Sequence, residues 1–222
     1  MAKLHVLKVF VGEDEAGGNP LGVFLRGGEI PEAARQGVAR ELGFSETVFV
    51  DEARRGEVRI FTPGTELPFA GHPLVGTAWL LMREGFKAPV LRPPAGEVRV
   101  RTDGEVVYVT GRPEWAPPFE HAELGSAAEV DALDGPPEGH DLIGMWAWEE
   151  EGAGRVRARV FAPRLGVEED EATGAHAVRL AARLGRRLEI RQGAGSIIHA
   201  EPLEDGGVEI GGRVKPVEVR EL

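Results

Sequence analysis

The sequence predicts an α+β fold built from two related halves. Residues 59–63 read Arg-Ile-Phe-Thr-Pro, and residues 159–163, 100 positions later, read Arg-Val-Phe-Ala-Pro. Each copy precedes a polar, carboxylate-bearing loop and then a glycine that opens an apolar, helix-like run. This spacing is a domain length rather than a solenoid repeat, so we interpret the echo as a duplication. The alternative is a chance echo of ordinary strand–turn sequence.

The first half combines short β-type runs with two helical patterns. Strands are predicted at residues 4–10, 21–25, 47–50 and 58–61, followed by a hairpin from 98–100 and 106–110. Residues 31–42 have helical spacing and end before Gly43. Residues 73–83 are apolar on nearly every face, which is typical of a buried helix. Gly17-Gly18-Asn19-Pro20 is predicted to be a turn.

The second half repeats this combination after a stretch rich in Pro and Gly. Residues 111–118 are the predicted linker, which places the lobes at 1–112 and 113–222, with the C-terminal strand free to return to the first lobe. A helix is predicted at residues 175–184, ending at Gly185. Strands are predicted at residues 142–148, 156–161, 189–192, 197–201, 208–210 and 217–219.

Composition excludes several classes of function. The 222 residues contain no cysteine, so disulfides, thiolate zinc sites and cysteine nucleophiles are absent. The net charge is -11 without a basic stripe, which argues against a nucleic-acid partner. No apolar run approaches the roughly 20 residues of a membrane span. The first residues lack the pattern of a signal peptide, so we expect a cytoplasmic protein that does not contact membranes.

Three residues could carry proton-transfer chemistry. Glu46 lies between a predicted helix and strand, where a carboxylate can project into a cleft as a base. His72 lies at a predicted helix start, beside unpaired backbone N–H groups. Asp170 precedes the second central helix, and Thr173 and Gly174 could form a turn whose N–H groups hold an anion. The alternatives are a solvated strand-edge Glu46, a capping or packing His72, and a solvated acidic stretch around Asp170.

No metal or cofactor is expected from the motifs. Glu46, His72, Asp170 and His176 are possible ligands, but they lack metal-binding spacing. The sequence also lacks a P-loop, a complete dinucleotide fingerprint and a Gly-x-Ser-x-Gly elbow.

A series of motifs in fixed order resembles the PhzF-like phenazine biosynthesis family. The motifs are Gly18-Asn19-Pro20-Leu21-Gly22-Val23-Phe24, Phe44-Ser45-Glu46-Thr47-Val48-Phe49-Val50, Arg59-Ile60-Phe61-Thr62-Pro63, Glu66-Leu67-Pro68-Phe69-Ala70-Gly71-His72-Pro73, Glu169-Asp170-Glu171-Ala172-Thr173-Gly174, Arg191-Gln192-Gly193 and Gly211-Gly212-Arg213-Val214. The resemblance covers nearly the whole chain. It implies the diaminopimelate epimerase-like fold, in which two pseudo-symmetric lobes each wrap a curved, mostly antiparallel, barrel-like sheet round a central helix.

The resemblance also implies a function. It suggests a homodimeric, cofactor-free isomerase that moves a proton between carbons of a small carboxylate-bearing substrate. Glu46 would be the acid/base, and His72 and Asp170 would orient substrate and assist proton movement. The implied substrate-binding residues are Asn19, Ser45, Gly71, Thr173 and Gly174.

The chain departs from the family pattern at two positions, and other functions stay open. The family usually has Asp-Pro-x-Thr-Gly-Ser, whereas Glu171 replaces the proline and Ala175 replaces the serine here. The missing hydroxyl motivates a second hypothesis, a non-catalytic small-molecule binding protein on the same fold. A third is a hydrolase or lyase that uses the same Glu and His.

Overall fold

The computed structural model describes residues 2–87 and 90–222. Within these ranges the α-helices are α1 Glu32–Leu42, α2 Gly71–Arg83, α3 Ala127–Asp131 and α4 Gly174–Leu184. The strands are β1 Lys3–Val11, β2 Gly17–Phe24, β3 Glu46–Glu52, β4 Glu57–Phe61, β5 Glu66–Leu67, β6 Val90–Leu91, β7 Val98–Asp103, β8 Val106–Gly111, β9 Glu120–Glu123, β10 Ile143–Glu150, β11 Arg155–Ala162, β12 Val167–Asp170, β13 Leu188–Gln192, β14 Ser196–Pro202 and β15 Val208–Glu221. Three short 3-10 helices complete the described part.

The strands form one curved sheet that does not close. Its main path is β5-β4-β3-β2-β1-β15-β14-β13-β11-β10-β9, and β6, β7, β8 and β12 attach beside it. Most neighbours are antiparallel, while β2 and β3, β9 and β10, and β11 and β13 run parallel. The predicted α+β class with two pseudo-symmetric lobes is confirmed.

The two halves repeat the same order of elements. In the first, β2, α1, β3, β4, β5 and α2 follow one another; in the second, β9, α3, β10, β11, β12 and α4 do so. In each series the first two strands pair in parallel and the next pairs are antiparallel. The echoed segments of the sequence occupy the equivalent strands β4 and β11. This repeated topology supports duplication over a chance echo.

Each half buries one central helix. In α2, 10 of 13 residues are buried, which agrees with its apolar sequence. In α4, 7 of 11 residues are buried, and Gly185 ends the helix in the left-handed conformation. Both helices contribute to one large apolar cluster that also contains side chains of the central strands. The predicted helices at residues 73–83 and 175–184 are therefore confirmed, each beginning slightly earlier than expected.

Two predictions about the strands are wrong. Residues 208–210 and 217–219 were expected to be separate strands, but β15 runs continuously because its later residues pair with β1 and its earlier residues with β8 and β14. The turn expected at Gly17 to Pro20 is the beginning of β2. Gly17 has a φ of 65°, and a Cβ there would collide with the backbone of Ser196. Gly17 thus allows close approach to β14, and a Cβ on Gly18 would collide with side chains of β1, so these glycines serve close packing rather than a chain reversal.

The segment predicted to link the halves is ordered. It contains a 3-10 helix at Pro113–Trp115, and the Trp115 ring lies 5.8 Å from the ring of Phe69. The lobe boundary between residues 112 and 113 stays a prediction.

Candidate active site

Glu46 is held at the point where β3 begins. Helix α1 ends at Gly43, whose φ of 68° turns the chain back toward the sheet. Glu46 then pairs in parallel register with Leu21 of β2. Its side chain is only 13% exposed, so the interpretation as a solvated strand-edge residue is wrong.

His72 lies in the first turn of α2, as predicted. Its Nδ1 is 3.5 Å from Oε2 of Glu46. Burial lowers the pKa of His72 to about 3, against a smaller opposing effect of the Pro20 backbone. The imidazole is therefore neutral at pH 7, and its contact with Glu46 is not an ion pair.

Asp170 lies at the end of β12 and is buried, unlike the preceding Glu168 and Glu169. Its Oδ1 accepts a 2.6 Å hydrogen bond from Nδ2 of Asn19, and its Oδ2 accepts a 2.7 Å bond from Oγ1 of Thr173. The interpretation as a solvated acidic stretch is wrong for Asp170 and correct for the two glutamates before it.

Asn19 connects the two halves of the site. Besides Asp170, its Nδ2 donates to the carbonyl of Ala172 at 3.0 Å. Its Oδ1 accepts a 2.9 Å hydrogen bond from the Ser45 hydroxyl. Asn19 and Ser45 thus tie the beginning of β3 in the first half to the acidic turn of the second.

Gln192 also belongs to the site, although its local sequence does not identify it as a site residue. Its fully buried side chain donates from Nε2 to the Asp170 carbonyl at 2.7 Å and to the Thr173 hydroxyl at 2.9 Å. Its Oε1 accepts from the Thr173 N–H at 3.2 Å. Gln192 therefore fixes the turn between β12 and α4. It stood only within the Arg-Gln-Gly motif, and nothing in the local sequence indicates this long-range contact.

The two buried carboxyls differ in how readily they ionise. Burial and, second, the negative charge of Asp170 raise the pKa of Glu46 to about 8, and the nearby Ser45 hydroxyl opposes them. Burial also raises the pKa of Asp170, to about 6, but hydrogen bonds from Thr173 and Asn19 oppose it. Asp170 consequently holds the negative charge at neutral pH, while Glu46 retains a proton. Carboxyl pairs whose pKa values are separated in this way are typical of acid/base sites.

A narrow cavity opens beside these carboxyls. Its described lining is mostly apolar, with Glu46, Asp170, Ser45, Thr62 and Thr173 as the polar members and no lysine or arginine. Oε2 of Glu46 is buried and has no hydrogen-bond partner among the described residues. Ala175 lines the cavity with a methyl group where the family pattern has a hydroxyl.

The central helices meet end to end next to the cavity. A Cβ placed on Gly71 would lie 2.9 Å from the Cα of Gly174, so both positions require glycine. The first turns of α2 and α4 therefore approach each other across the two halves. Their N-terminal dipole ends raise the electrostatic potential there, which favours an anionic group of a ligand.

The predicted site residues thus fall into two groups. Ser45, Glu46, Asp170 and Thr173 line the cavity. Behind this lining, Asn19 and His72 contact the carboxyls, and Gly71 and Gly174 form the helix junction. The structure brings all eight together at one place, while their catalytic and substrate-binding roles stay predictions.

Solved structures share this fold. A phenazine biosynthesis protein of the PhzF family from Enterococcus faecalis aligns with a TM-score of 0.73 and 23% identity, over 98% of this chain and 97% of that chain. A predicted epimerase from Pseudomonas aeruginosa aligns with a TM-score of 0.76 and 25% identity, over 100% of this chain and 99% of that chain. A hydroxyproline epimerase from Agrobacterium vitis was solved with bound trans-4-hydroxy-L-proline. It aligns with a TM-score of 0.62 and 12% identity, over 99% of this chain and 91% of that chain.

Sequence comparison then defines the family. Residues 8–141 match the family described as "Phenazine biosynthesis-like protein". The trans-2,3-dihydro-3-hydroxyanthranilate isomerase of Pseudomonas fluorescens is 35% identical over 87% of this chain and 82% of its own length. The Pseudomonas aeruginosa protein of the same name is 34% identical over 95% of this chain and 87% of its own length. The chain belongs to the PhzF-like family, and the prediction that it is an isomerase of this family is confirmed.

Two further observations bear on ligands and location. Among residues 2–87 and 90–222, no group of three or more His, Asp and Glu side chains is placed to hold a metal ion. No helix in the same part of the chain is long and apolar enough to cross a membrane.

Proposed function

We propose that the protein moves a proton between two carbons of a small carboxylate-bearing metabolite, without a cofactor, and that Glu46 is the acid/base. The observation that carries this proposal is the buried Glu46 carboxyl. Glu46 lines the cavity, its Oε2 is buried without a hydrogen-bond partner among the described residues, and burial raises its pKa to about 8. General bases work best when their pKa lies near the operating pH.

Glu46 alone can carry the proton through the whole reaction. The Glu46 carboxylate removes a proton from one carbon, and the electron pair left behind is delocalised over the unsaturated substrate. The protonated Glu46 then returns the proton to another carbon, so substrate and product have equal mass. The apolar cavity excludes water, which keeps the proton on the carboxyl between the two steps.

The other groups of the site would bind the substrate and orient it toward Glu46. The approaching N-termini of α2 and α4 would hold the substrate carboxylate through backbone N–H groups, since the described cavity lining has no cationic side chain. Asp170 keeps its negative charge through Asn19 and Thr173 and would accept a hydrogen bond from a substrate amine or hydroxyl. Neutral His72 lies beside the Glu46 carboxyl, with Nδ1 3.5 Å from Oε2, and would limit its movement by packing against it.

The names of the relatives support a proposal for the class of substrate. Relatives named trans-2,3-dihydro-3-hydroxyanthranilate isomerases align over most of the chain. We therefore propose an unsaturated cyclic amino acid or a similar carboxylate as substrate. With Ala175 in place of the family serine, the ring position next to the start of α4 would be apolar rather than hydroxyl-bearing.

Replacement of Glu46 by Gln tests the proposal. We expect Glu46→Gln to lower turnover of trans-2,3-dihydro-3-hydroxyanthranilate by about 10²–10⁴-fold, because the amide cannot carry the proton. Turnover and carbon-bound deuterium from D2O would be followed by mass spectrometry. Exposed Glu168 offers the matched control, and Glu168→Gln should keep full activity.

The outcomes separate the rival functions. Unchanged turnover in Glu46→Gln would reject Glu46 as the base. Binding of the same compound by wild type and Glu46→Gln, with no conversion by either, would favour the non-catalytic binding protein. A product of altered mass would indicate a hydrolase or lyase.

We also propose a homodimer, as the family resemblance implies, and a cytoplasmic location. Light scattering should give twice the 23.9 kDa mass of the chain if the dimer forms. The absence of a nucleic-acid partner likewise stays a prediction.

A further inference from the structure

A basic depression lies next to the cavity, on the outer side of α4. Its lining includes Arg179 and Arg183 of α4, His121 of β9, and Phe119. Arg179 and Arg183 are four residues apart and therefore project from the same face of the helix. Two guanidinium groups thus point to one concave surface on a chain whose net charge is -11.

Neither guanidinium has a carboxylate partner in the described part of the chain. Nη1 of Arg179 donates to the Pro113 carbonyl at 3.0 Å, and its Nε is buried without a hydrogen-bond partner. Nη1 of Arg183 makes only a long 3.4 Å bond to the His121 carbonyl. By contrast, Arg157 and Arg159 of the nearby strand β11 pair with Asp131 and Glu169. Positive charge in the depression is therefore not neutralised by the contacts of these two arginines.

The histidines behind the arginines are neutral and rigidly packed. The His121 ring lies 4.8 Å from that of fully buried His176, and their ring nitrogens have no partner among the described residues. Burial and, second, the charges of Arg183 and Arg179 lower the pKa of His121 to about 4. The one carboxylate of the lining, on Glu120, lies 3.2 Å from Nδ1 of His140. The lining thus carries two guanidinium groups and one carboxylate, and the carboxylate lies beside His140 rather than beside either arginine.

The depression and the cavity share a wall. Phe119 lines both, and its ring packs against that of His176 at 6.1 Å. Helix α4 also contributes to both, through Thr173 and Ala175 at its beginning and the two arginines further along. An anion bound outside would lie one side chain away from the proposed active site.

We propose that this depression is a binding site for a small oxyanion, a carboxylate or a phosphate, held by the guanidinium groups of Arg179 and Arg183. Guanidinium forks match such anions geometrically and bind them through charge-assisted hydrogen bonds. The anion could have two sources: the carboxylate of a substrate on its way to the cavity, or free phosphate. This oxyanion site does not include Glu46, so the proposal holds whether or not Glu46 is the base.

Calorimetric titration of the full-length protein with inorganic phosphate and with benzoate, at constant ionic strength, tests the proposal. We expect saturable binding of at least one anion. Arg183→Gln should weaken it by at least about fivefold, because a charge-assisted hydrogen bond is lost. Arg183 is exposed, so this variant keeps the fold; Arg179→Gln is a second test, although Arg179 also holds Pro113. Tighter binding of phosphate identifies a free-phosphate site, and tighter binding of benzoate identifies a carboxylate site.

Two controls make the result specific. Arg40→Gln removes an exposed arginine from the last turn of α1 and should bind like wild type. Glu46→Gln should also bind like wild type, which separates this site from the proposed catalytic one. The proposal is overturned if neither anion binds saturably, if Arg183→Gln and Arg179→Gln change the affinity by less than about fivefold, or if a control variant loses as much.

Discussion

Hydrogen-bond donors decide which of the two buried carboxyls holds the proton. Both Glu46 and Asp170 are removed from water, which raises the pKa of each. Asp170 recovers stabilisation of its charge from Asn19 and Thr173, whereas Oε2 of Glu46 has no partner among the described residues. The charge on Asp170 then raises the pKa of Glu46 further. One carboxyl thus serves as a fixed anion and the other as a mobile proton site.

The proposed base should be visible in the pH dependence of activity. The reaction begins with ionised Glu46, so kcat/KM should rise with pH and level off above about 8, the raised pKa of Glu46. Because the two carboxyls interact, the measured value belongs to the pair. The measurement is kcat/KM from pH 5.5 to 9.5 at constant ionic strength. A profile that is flat across pH 8 would contradict the proposed role.

Two substitutions should move this pH profile in opposite directions. Asp170→Asn removes the charge that raises the pKa of Glu46, so the rise should move to lower pH, on the order of one unit. Ser45→Ala removes the hydroxyl that lowers the same pKa, so the rise should move to higher pH. Profiles measured under identical conditions check both. A shift in the same direction for both variants would contradict this account.

Local sequence identified the titratable residues of the site but not the residue that positions the acidic turn. Glu46, His72 and Asp170 were predicted because each stands at a junction between elements, beside residues typical of turns and helix starts. Gln192 was not, because its partners lie about 20 residues away and its own strand looks ordinary. Burial of Asp170 could not be predicted either, since its neighbours Glu168 and Glu169 are exposed as their composition suggests.

At the scale of elements, the glycine junction between α2 and α4 sets the geometry of the site. Gly71→Ala would place a methyl group 2.9 Å from the Cα of Gly174 and against the side chain of Ile210. The Ile210 side chain can move, but the backbone at Gly174 is fixed by its helix. We expect a loss of about 1–3 kcal/mol in the free energy of unfolding and lower activity.

The matched control for this prediction is Gly37 in α1. A Cβ there would meet nothing within 4 Å, so Gly37→Ala should be neutral or stabilise the protein by up to about 1 kcal/mol through helix propensity. Urea unfolding of both variants provides the measurement. Equal stability of Gly71→Ala and wild type would mean that the helices can separate without cost, against the close approach described above.

Long, strongly patterned elements were predictable, and short or interrupted ones were not. Apolar composition and terminal glycines identified α2 and α4. Helix α3 has only five residues, although Ser126 caps it and Glu129 donates its N–H to the Ser126 hydroxyl, a signal that the sequence did carry. Strand β15 was divided because Gly211, Gly212 and Pro216 interrupt its β-type pattern. Its continuity comes from partners in both halves, which no local pattern contains.

At the scale of the whole molecule, the two halves share a topology and one equivalent ion pair, but they do not share the residues of the candidate active site. Arg59 of β4 forms a two-pronged ion pair with Glu66, and Arg159 of β11 forms one with Glu169. Each pair ties a central strand to the short strand that leads into a central helix. Glu46 opens β3, however, while the equivalent strand β10 opens with Ile143. The proposed base comes from one half and the fixed anion from the other, so the site needs both.

The path of β15 makes a prediction about the two halves. After pairing with β14 and β8, this strand pairs along β1 from Arg213 to Glu221. A fragment of residues 1–112 therefore lacks β15, which pairs with one edge of both β1 and β8, and it exposes the apolar faces that the second half covers. We expect this fragment to be unfolded alone, and an equimolar mixture with residues 113–222 to regain the circular dichroism spectrum and activity of the intact chain. Isolated fragments with cooperative thermal transitions of their own would show that the shared strand is dispensable and that each half folds without the other.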